Sequence, residues 1–401
     1  MKLKLVHVVA MPFPANQGTA ATIRELINAL YKKGHEIHVV TYYEGQDIPL
    51  PEIQVHRIPR LLKRHDELFV GFKKRRPISD FVLAFKTLQV VHKVHPHIIH
   101  AHHHEGAFAA FLSRLITRTP MVYHCMASME EELPLYIGPK FITSRLGRFL
   151  DSFIPRLSNY SVAVSKELAD NIRRSGFQKA SYLPMIVDTS TIIGGSGAKF
   201  RERYDMNNNP IVLYTGVIDE FQGIDNLIKS MTIVARDMPF TKLVLAASIP
   251  NEIQFKKHVD LAQQLGLRNN MVFLESFPFH ELIHLIAASD VTVIPRGECA
   301  GFPMKLLNYM AAGKPVVAMR GSAKILEEGE NGLLADTWEE LGEKILSLLK
   351  NKELSRKLGE AGRLELDKFT PDVVAERIEQ IYISLLNTIS NSIHTDFSEN
   401  V

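Results

Sequence analysis

Residues 291–318 carry the most specific chemistry in the chain. They read as a strand, a glycine turn at Gly301-Phe302, a helix opening near Met304, and a second strand. Gly301 allows a ligand to come close to the backbone, and the helix aims its first amides at that turn, where an anion would be held. Lys305 stands in the first helical turn. A cation is unfavourable there unless an anion is near, so Lys305 marks a candidate anion site. A second cluster is His100-Ala101-His102-His103-His104-Glu105-Gly106. Alternation along a strand end would bring His102 and His104 to one side with Glu105 beside them, a candidate metal set. One carboxylate is a thin ligand set, and no metal is expected. The alternatives are a polar strand end and contact with a sugar ligand at the strand's carboxyl end, and contact is favoured.

Other segments are less decisive. Ser128-Met129-Glu130-Glu131-Glu132 reads as a capped helix start, with Glu131 at capping-box spacing. Between Arg57 and Arg76 basic residues outnumber acidic ones and interleave with Leu61, Leu62, Phe69 and Phe72. That composition suits either a solvated loop or the surface of an anionic membrane. No Gly-x-Gly-x-x-Gly and no phosphate-cradling Gly-Lys-Ser/Thr occurs, which weighs against a dinucleotide oxidoreductase and a P-loop enzyme. Cys125 and Cys299 are too sparse for a disulfide scaffold or a Cys-x-x-Cys pair, and they suit a reducing compartment.

The elements that must position these residues alternate regularly. Residues 3–9 form an apolar run, and Ile23, Leu26, Ile27 and Leu30 then mark one helix face. Gly34 follows as a helix stop, and residues 36–41 form a second strand, which completes a right-handed parallel βαβ unit. The short run at the N-terminus resembles a leader superficially, but the turn and helix after it make it a first strand. Further strands are expected at 97–101, 120–124 and 160–164. The pattern restarts at 211–216, with a helix face of Leu227, Ile228, Met231 and Val234 and strands at 243–247, 271–274, 291–294 and 315–318. The expectation is α/β: two Rossmann-like domains with mostly parallel sheets facing across a cleft, spanning 1–185 and 186–370. The join falls near 184–199, a helix over 371–390 closes the chain and could return to the first domain, and 391–401 frays. The 401 residues are 46% apolar and 23% charged, which is ordinary for globular domains of this size. A net charge of +3 gives no reason to expect a nucleic-acid partner, and no apolar run is long enough for a membrane span.

At this level the chain resembles glycosyltransferase family 4, with the glycosyltransferase B fold. The resemblance rests on Gly301-Phe302, Gly313-Lys314-Pro315-Val316-Val317, Glu330-Asn331-Gly332-Leu333-Leu334, Gly34-His35-Glu36, Val164-Ser165-Lys166-Glu167 and Tyr214-Thr215-Gly216 running to Gln222-Gly223. It implies retaining transfer of a sugar from a nucleoside diphosphate sugar to a hydroxyl of a glycan or lipid-linked acceptor, with no metal or other cofactor. Six positions depart from the family's charged set. Val217 and Gln222 replace the usual arginine and lysine, Ala300 and Asn308 replace the two glutamates, Met126 replaces the histidine, and Gln17-Gly18 replaces Gly-Gly.

The expected substitutes are nearby. On the donor side they are Gly18, Gly216, Gln222, Gly223, Arg296, Gly301, Phe302, Lys305 and Asn308. His124 and Glu298 are the catalytic candidates, and His103, His104 and Glu105 line the acceptor side. A noncatalytic binder on a degenerate transferase scaffold is the alternative. The expected setting is cytoplasmic, in cell-envelope polysaccharide biosynthesis, with peripheral contact to an anionic membrane through 57–76.

Overall fold

The computed structural model of the chain describes every residue except 16–17, 61–75, 137, 188–191, 193, 207, 248–250, 276, 278–280, 300 and 399–401. The chain divides into two compact units. One comprises Met1–Ile186, Ala300–Phe302 and Phe369–Val401, the other Val187–Cys299 and Pro303–Lys368.

The first unit is built on seven strands: β1 (Lys4–Val9), β2 (Glu36–Thr41), β3 (Gln54–Arg57), β4 (Ile98–His102), β5 (Met121–Cys125), β6 (Tyr160–Ala163) and β7 (Ala180–Tyr182). Their order is β3-β2-β1-β4-β5-β6-β7. Helices α1 (Gly18–Lys32), α2 (Arg76–Val94), α3 (His103–Thr117), α4 (Met129–Tyr136), α5 (Lys140–Phe153) and α6 (Lys166–Arg174) connect them. The second unit has β8 (Ile211–Gly216), β9 (Lys242–Ala247), β10 (Met271–Leu274), β11 (Val291–Ile294), β12 (Val316–Met319) and β13 (Leu333–Ala335), in the order β10-β9-β8-β11-β12-β13. Its helices are α7 (Gly197–Arg203), α8 (Ile224–Asp237), α9 (Glu252–Gln264), α10 (Leu282–Ala288), α11 (Met304–Ala311), α12 (Trp338–Lys350) and α13 (Lys352–Glu365). The last helix, α14 (Pro371–Ser398), packs against α1 of the first unit.

Every strand pairing among the described residues is parallel. Parallel strands covered on both faces read as unbroken apolar runs, which is why the central strands were visible in the sequence. The helix face Leu227, Ile228, Met231 and Val234 is fully buried in the core of the second unit. Edge strands β3, β7 and β13 were not anticipated. They are only three or four residues long, and β3 is largely polar. Residues 391–398 continue α14, where fraying was expected, because no glycine or proline after Pro371 ends the helix.

Both units start the sheet in the middle, run outward, and then cross to the other side of the first strand. Each is therefore a Rossmann-like sheet with its switch point between its first and fourth strands: β1 and β4 in one, β8 and β11 in the other. Ligands of such sheets bind outside the carboxyl ends at that point.

Candidate functional site

In the second unit, the loops that leave β8 and β11 bring most of the expected donor residues together. Tyr309 of α11 is fully buried, and its hydroxyl lies 2.9 Å from the Thr215 backbone N–H and 3.0 Å from the Thr215 Oγ1. This ties the end of β8 to α11 and fixes where Lys305 emerges. The Lys305 ammonium sits 3.8 Å from the centre of the Tyr214 ring, a cation–π contact, and 3.4 Å from Gln222 Oε1. The Tyr214 hydroxyl donates to the Val217 carbonyl at 2.6 Å and lies 3.1 Å from Gln222 Oε1. With the Lys305 ammonium donating to that oxygen, the NH2 end of the Gln222 amide faces away from it.

Arg296 lies over the Phe221 ring at 4.9 Å. Neither Arg296 nor Lys305 forms an ion pair among the described residues, and Arg296 disfavours the charge on Lys305. Burial, with Arg296 adding to it, lowers the Lys305 pKa to about 7. A half-buried cation pair without a carboxylate is a site for an anion. The helices beside it supply more. Gly223 precedes α8 and Pro303 precedes α11, and neither helix start has a side-chain cap. Their first amides are the kind of donor that receives phosphate oxygens. Gly223 has φ +73, and a Cβ there would stand 2.2 Å from the Pro295 carbonyl oxygen, so only glycine lets the loop close against β11. A Cβ on Gly216 would meet the Lys305 ammonium at 3.1 Å.

The remaining donor candidates are placed less closely. Asn308 is on α11 one turn from Lys305, and its side chain has no hydrogen-bond partner among the described residues. Glu298 is exposed on the loop after β11 and forms no ion pair there. Gly301 and Phe302 lie just before α11, with the Phe302 ring 6.5 Å from Phe369. Gly18 belongs to the first unit, exposed with φ +60 at the start of α1. Residues 17 and 300, and most of the basic stretch at 57–76, lie outside the described residues.

In the first unit the six histidines of β1, β4, β5 and the start of α3 separate into two groups. Strand register sets His7 opposite His100 and His102 opposite His124, all turned to one face of the sheet. His7 Nδ1 and His102 Nε2 are 3.0 Å apart, the His100 and His102 rings stack at 4.2 Å, and His100 Nδ1 pairs with the Tyr382 hydroxyl of α14. All four are buried. Burial lowers His7 and His124 to about 3 and takes His100 and His102 well below the ordinary imidazole range, so the four are neutral at pH 7.

This corrects two expectations. His102 does not share a side with His104, because β4 ends at His102 and α3 begins at His103. His124 is not placed as a base facing an acceptor: its ring is shut between His100 and His102 and is 2% exposed.

The second group is His103, His104, Glu105 and Glu132. His103 opens α3 with φ +65. His104 Nδ1 is 2.8 Å from the Tyr123 hydroxyl, and its Nε2 is 3.9 Å from Glu132 Oε2 of α4. His103 Nδ1 is 3.6 Å from Glu105 Oε2. Among the described residues, two sets of three each offer ligand atoms within 4.8 Å of one another: His7, His100 and His102, and His103, His104 and Glu132.

The start of α4 also differs from expectation. Asp151 of α5, not a Ser128–Glu131 capping box, caps it. Its carboxylate accepts from the Ser128 hydroxyl at 2.7 Å and from the Met129 and Glu130 amides at 2.8 and 3.0 Å. A Cβ on Gly147 would stand 2.3 Å from the Met129 carbonyl oxygen, so α4 and α5 touch backbone to backbone. A groove of about 560 Å³ beside them is lined by Arg145, Arg148, Phe149 and Arg174, among others. Cys125 is no nucleophile, since burial pushes its thiol up to about 12.

Sequence reasoning missed Tyr214, Tyr309, Tyr123 and Glu132 as site residues. The available signal was position: Tyr214 adjoins Thr215-Gly216, and Tyr309 follows Asn308.

Comparison with known proteins agrees with this layout. Residues 16–191 match the family model described as Glycosyltransferase Family 4, and residues 198–365 match Glycosyl transferases group 1. An uncharacterised glycosyltransferase of Methanocaldococcus jannaschii is 24% identical over 95% of this chain and 99% of its own length. The capsular polysaccharide biosynthesis glycosyltransferase CapM of Staphylococcus aureus is 23% identical over 96% of this chain and 97% of its own. Among solved structures, HepE of Anabaena in complex with UDP superposes with a TM-score of 0.74 at 18% identity, covering 96% of this chain and all of that one. The two matched segments, the relatives and the paired Rossmann-like sheets establish that the chain belongs to glycosyltransferase family 4 and is a glycosyltransferase of the glycosyltransferase B fold.

Proposed function

We propose that this glycosyltransferase takes its sugar from a nucleoside diphosphate sugar and passes it, with retained configuration, to a hydroxyl of a glycan or lipid-linked acceptor. The observation that carries the donor reading is the Lys305–Arg296 pair at the switch point of the second sheet, without a carboxylate partner among the described residues and beside the start of α8, which has no side-chain cap. The complex of HepE with UDP supports the same reading.

As the bond from the sugar to the diphosphate lengthens, negative charge gathers on the leaving phosphate. Lys305, Arg296 and the amides at the start of α8 stabilise that charge more than the ground state. The leaving phosphate then takes the proton of the acceptor hydroxyl as the new glycosidic bond forms on the face the phosphate leaves. No side-chain base is required, and the configuration is kept. Asn308 has the amide to hold a ribose hydroxyl.

The test is a thermal-shift panel of UDP, GDP, ADP and CDP. One nucleotide at 100 times its Kd adds about 2.7 kcal/mol of stability, and at the same concentration Lys305→Ala lowers the gain to about 1.4 kcal/mol or less. No shift with any member of the panel overturns the donor reading. Proton NMR of the product's anomeric centre tests retention.

The acceptor side of the proposal rests on the outer faces of α2, α3 and α5. No helix among the described residues is long and apolar enough to cross a membrane. Yet Phe81 and Phe85 of α2, Leu115 and Ile116 of α3, and Phe141, Ile142, Leu146 and Phe149 of α5 are all exposed. Helix α2 packs on α3, and α3 and α5 share the turn Ile154–Leu157. Apolar surface of this extent marks an interaction face. On α5 it is interleaved with exposed Lys140, Arg145 and Arg148, and the helix's single acid, Asp151, is turned away to cap α4. Arg148 pairs with Glu130 of α4, whereas Lys140 and Arg145 form no ion pair among the described residues, and apolar rings beside such cations match an anionic bilayer surface. The protein would meet a lipid-linked acceptor there, as a peripheral protein.

A further inference from the structure

We propose that His103, His104 and Glu132 form a binding site for a divalent transition-metal ion of the zinc type, with one coordination position open to water. The site lies at the carboxyl end of β4, beside the switch point of the first sheet, and it does not depend on the donor reading.

Three observations carry it. First, one ligand atom from each residue lies within 4.8 Å of the other two. A tetrahedral zinc ion holds nitrogen and oxygen ligands about 3.4 Å apart, so side-chain movements of about 1 Å or less complete the set. Second, the Nε2 of His104 is buried, has no hydrogen-bond partner among the described residues, and faces the Glu132 carboxylate at 3.9 Å. In the tautomer that carries its proton on Nδ1, toward the Tyr123 hydroxyl, Nε2 offers a lone pair on the side of the Glu132 carboxylate, where a cation would bond both. Third, the supports of a metal centre are present. The Tyr123 hydroxyl orients the His104 ring through its Nδ1, and Glu105 stands 3.6 Å from His103 Nδ1, within reach to direct that ring. His103 holds a left-handed backbone, the kind of local strain that persists at functional positions. The side chains of His103 and Glu132 are 17% and 31% exposed, which gives an ion a way in.

The neighbouring His7–His100–His102 group is a poorer host. Its ring nitrogens are partly spent on one another and on Tyr382, it contains no anion, and all three residues are 0% exposed.

The experiment uses the full chain, stripped with a chelator, dialysed against excess zinc and then against buffer, with metal content read by mass spectrometry. The wild type is expected to keep about one zinc per chain. His103→Ala combined with Glu132→Gln, both at partly exposed positions, is expected to lower zinc content at least tenfold without changing the circular dichroism spectrum. Tyr123→Phe is expected to weaken zinc affinity about 10–100-fold. Cobalt in place of zinc should give the strong visible bands of a tetrahedral centre, and these should vanish in the double variant. The proposal is overturned if the wild type keeps no zinc, if the double variant keeps as much as the wild type, or if His100→Gln alone removes the metal.

Discussion

Lys305→Met keeps the length of the side chain and removes its charge. In the wild-type protein, burial and Arg296 depress the ammonium's pKa to about 7 from 10.5. A bound diphosphate stabilises the protonated form, so nucleotide binding takes up a proton wherever the free protein has lost it. Affinity should therefore be flat below pH 7 and fall about tenfold per pH unit above it, until the pKa of the complex is reached. In Lys305→Met this slope should be absent. The variant should also bind about 10–150-fold more weakly at pH 6.5, the worth of one charge-assisted hydrogen bond of about 1.5–3 kcal/mol.

Stability without nucleotide runs the other way. A lysine whose folded pKa is depressed leaves the unfolded chain with more bound protons between about 7 and 10.5, so the wild-type protein gains stability relative to Lys305→Met as pH rises through that window. Isothermal titration from pH 6.5 to 8.5, with the cognate nucleotide from the thermal-shift panel, measures the first effect, and paired urea melts measure the second. Equal pH slopes for the two proteins would refute the placement of the ammonium against the diphosphate.

Three further outcomes follow from the same geometry. Gly223→Ala must strain a left-handed residue and push its Cβ into the Pro295 carbonyl, so it should cost about 2–4 kcal/mol by urea denaturation and weaken nucleotide binding with it. Tyr309→Phe leaves the buried Thr215 amide unsatisfied and should cost about 1–3 kcal/mol, with the loss seen in the same melts. Phe141→Ser with Phe149→Ser should leave the melting temperature nearly unchanged. It should remove most co-sedimentation with vesicles containing phosphatidylglycerol, since each exposed ring is worth about 1.5–3 kcal/mol when buried; undiminished co-sedimentation would show that α5 is not the docking helix.

The sequence was most legible where burial is two-sided. Val39, Leu213 and Val293 sit in runs that only a covered parallel strand explains, and they fell in β2, β8 and β11 as read. It was least legible at edges, where β13 needs only Leu333–Ala335 and one neighbour, and in the direction of side chains. His124 looked like a substitute for the histidine missing at Met126. It is shut in by His100 and His102, and His100 is in turn held by Tyr382 of α14, a partner distant in sequence. Lys305 was legible because a lysine in a first helical turn contradicts the helix dipole on its own. The Tyr214 ring beneath it was not, because an aromatic in a buried strand is ordinary until a cation is found above it.

The carboxylate of Asp151 has a mechanical consequence. It belongs to the helix that would rest on lipid, yet it grips the first amides of the helix that carries Glu132, and at Gly147 the two backbones leave no room to slide. A bilayer that seats α5 would therefore drag α4 along as one lever. The spacing between Glu132 and His104 would then report whether the protein is docked or adrift.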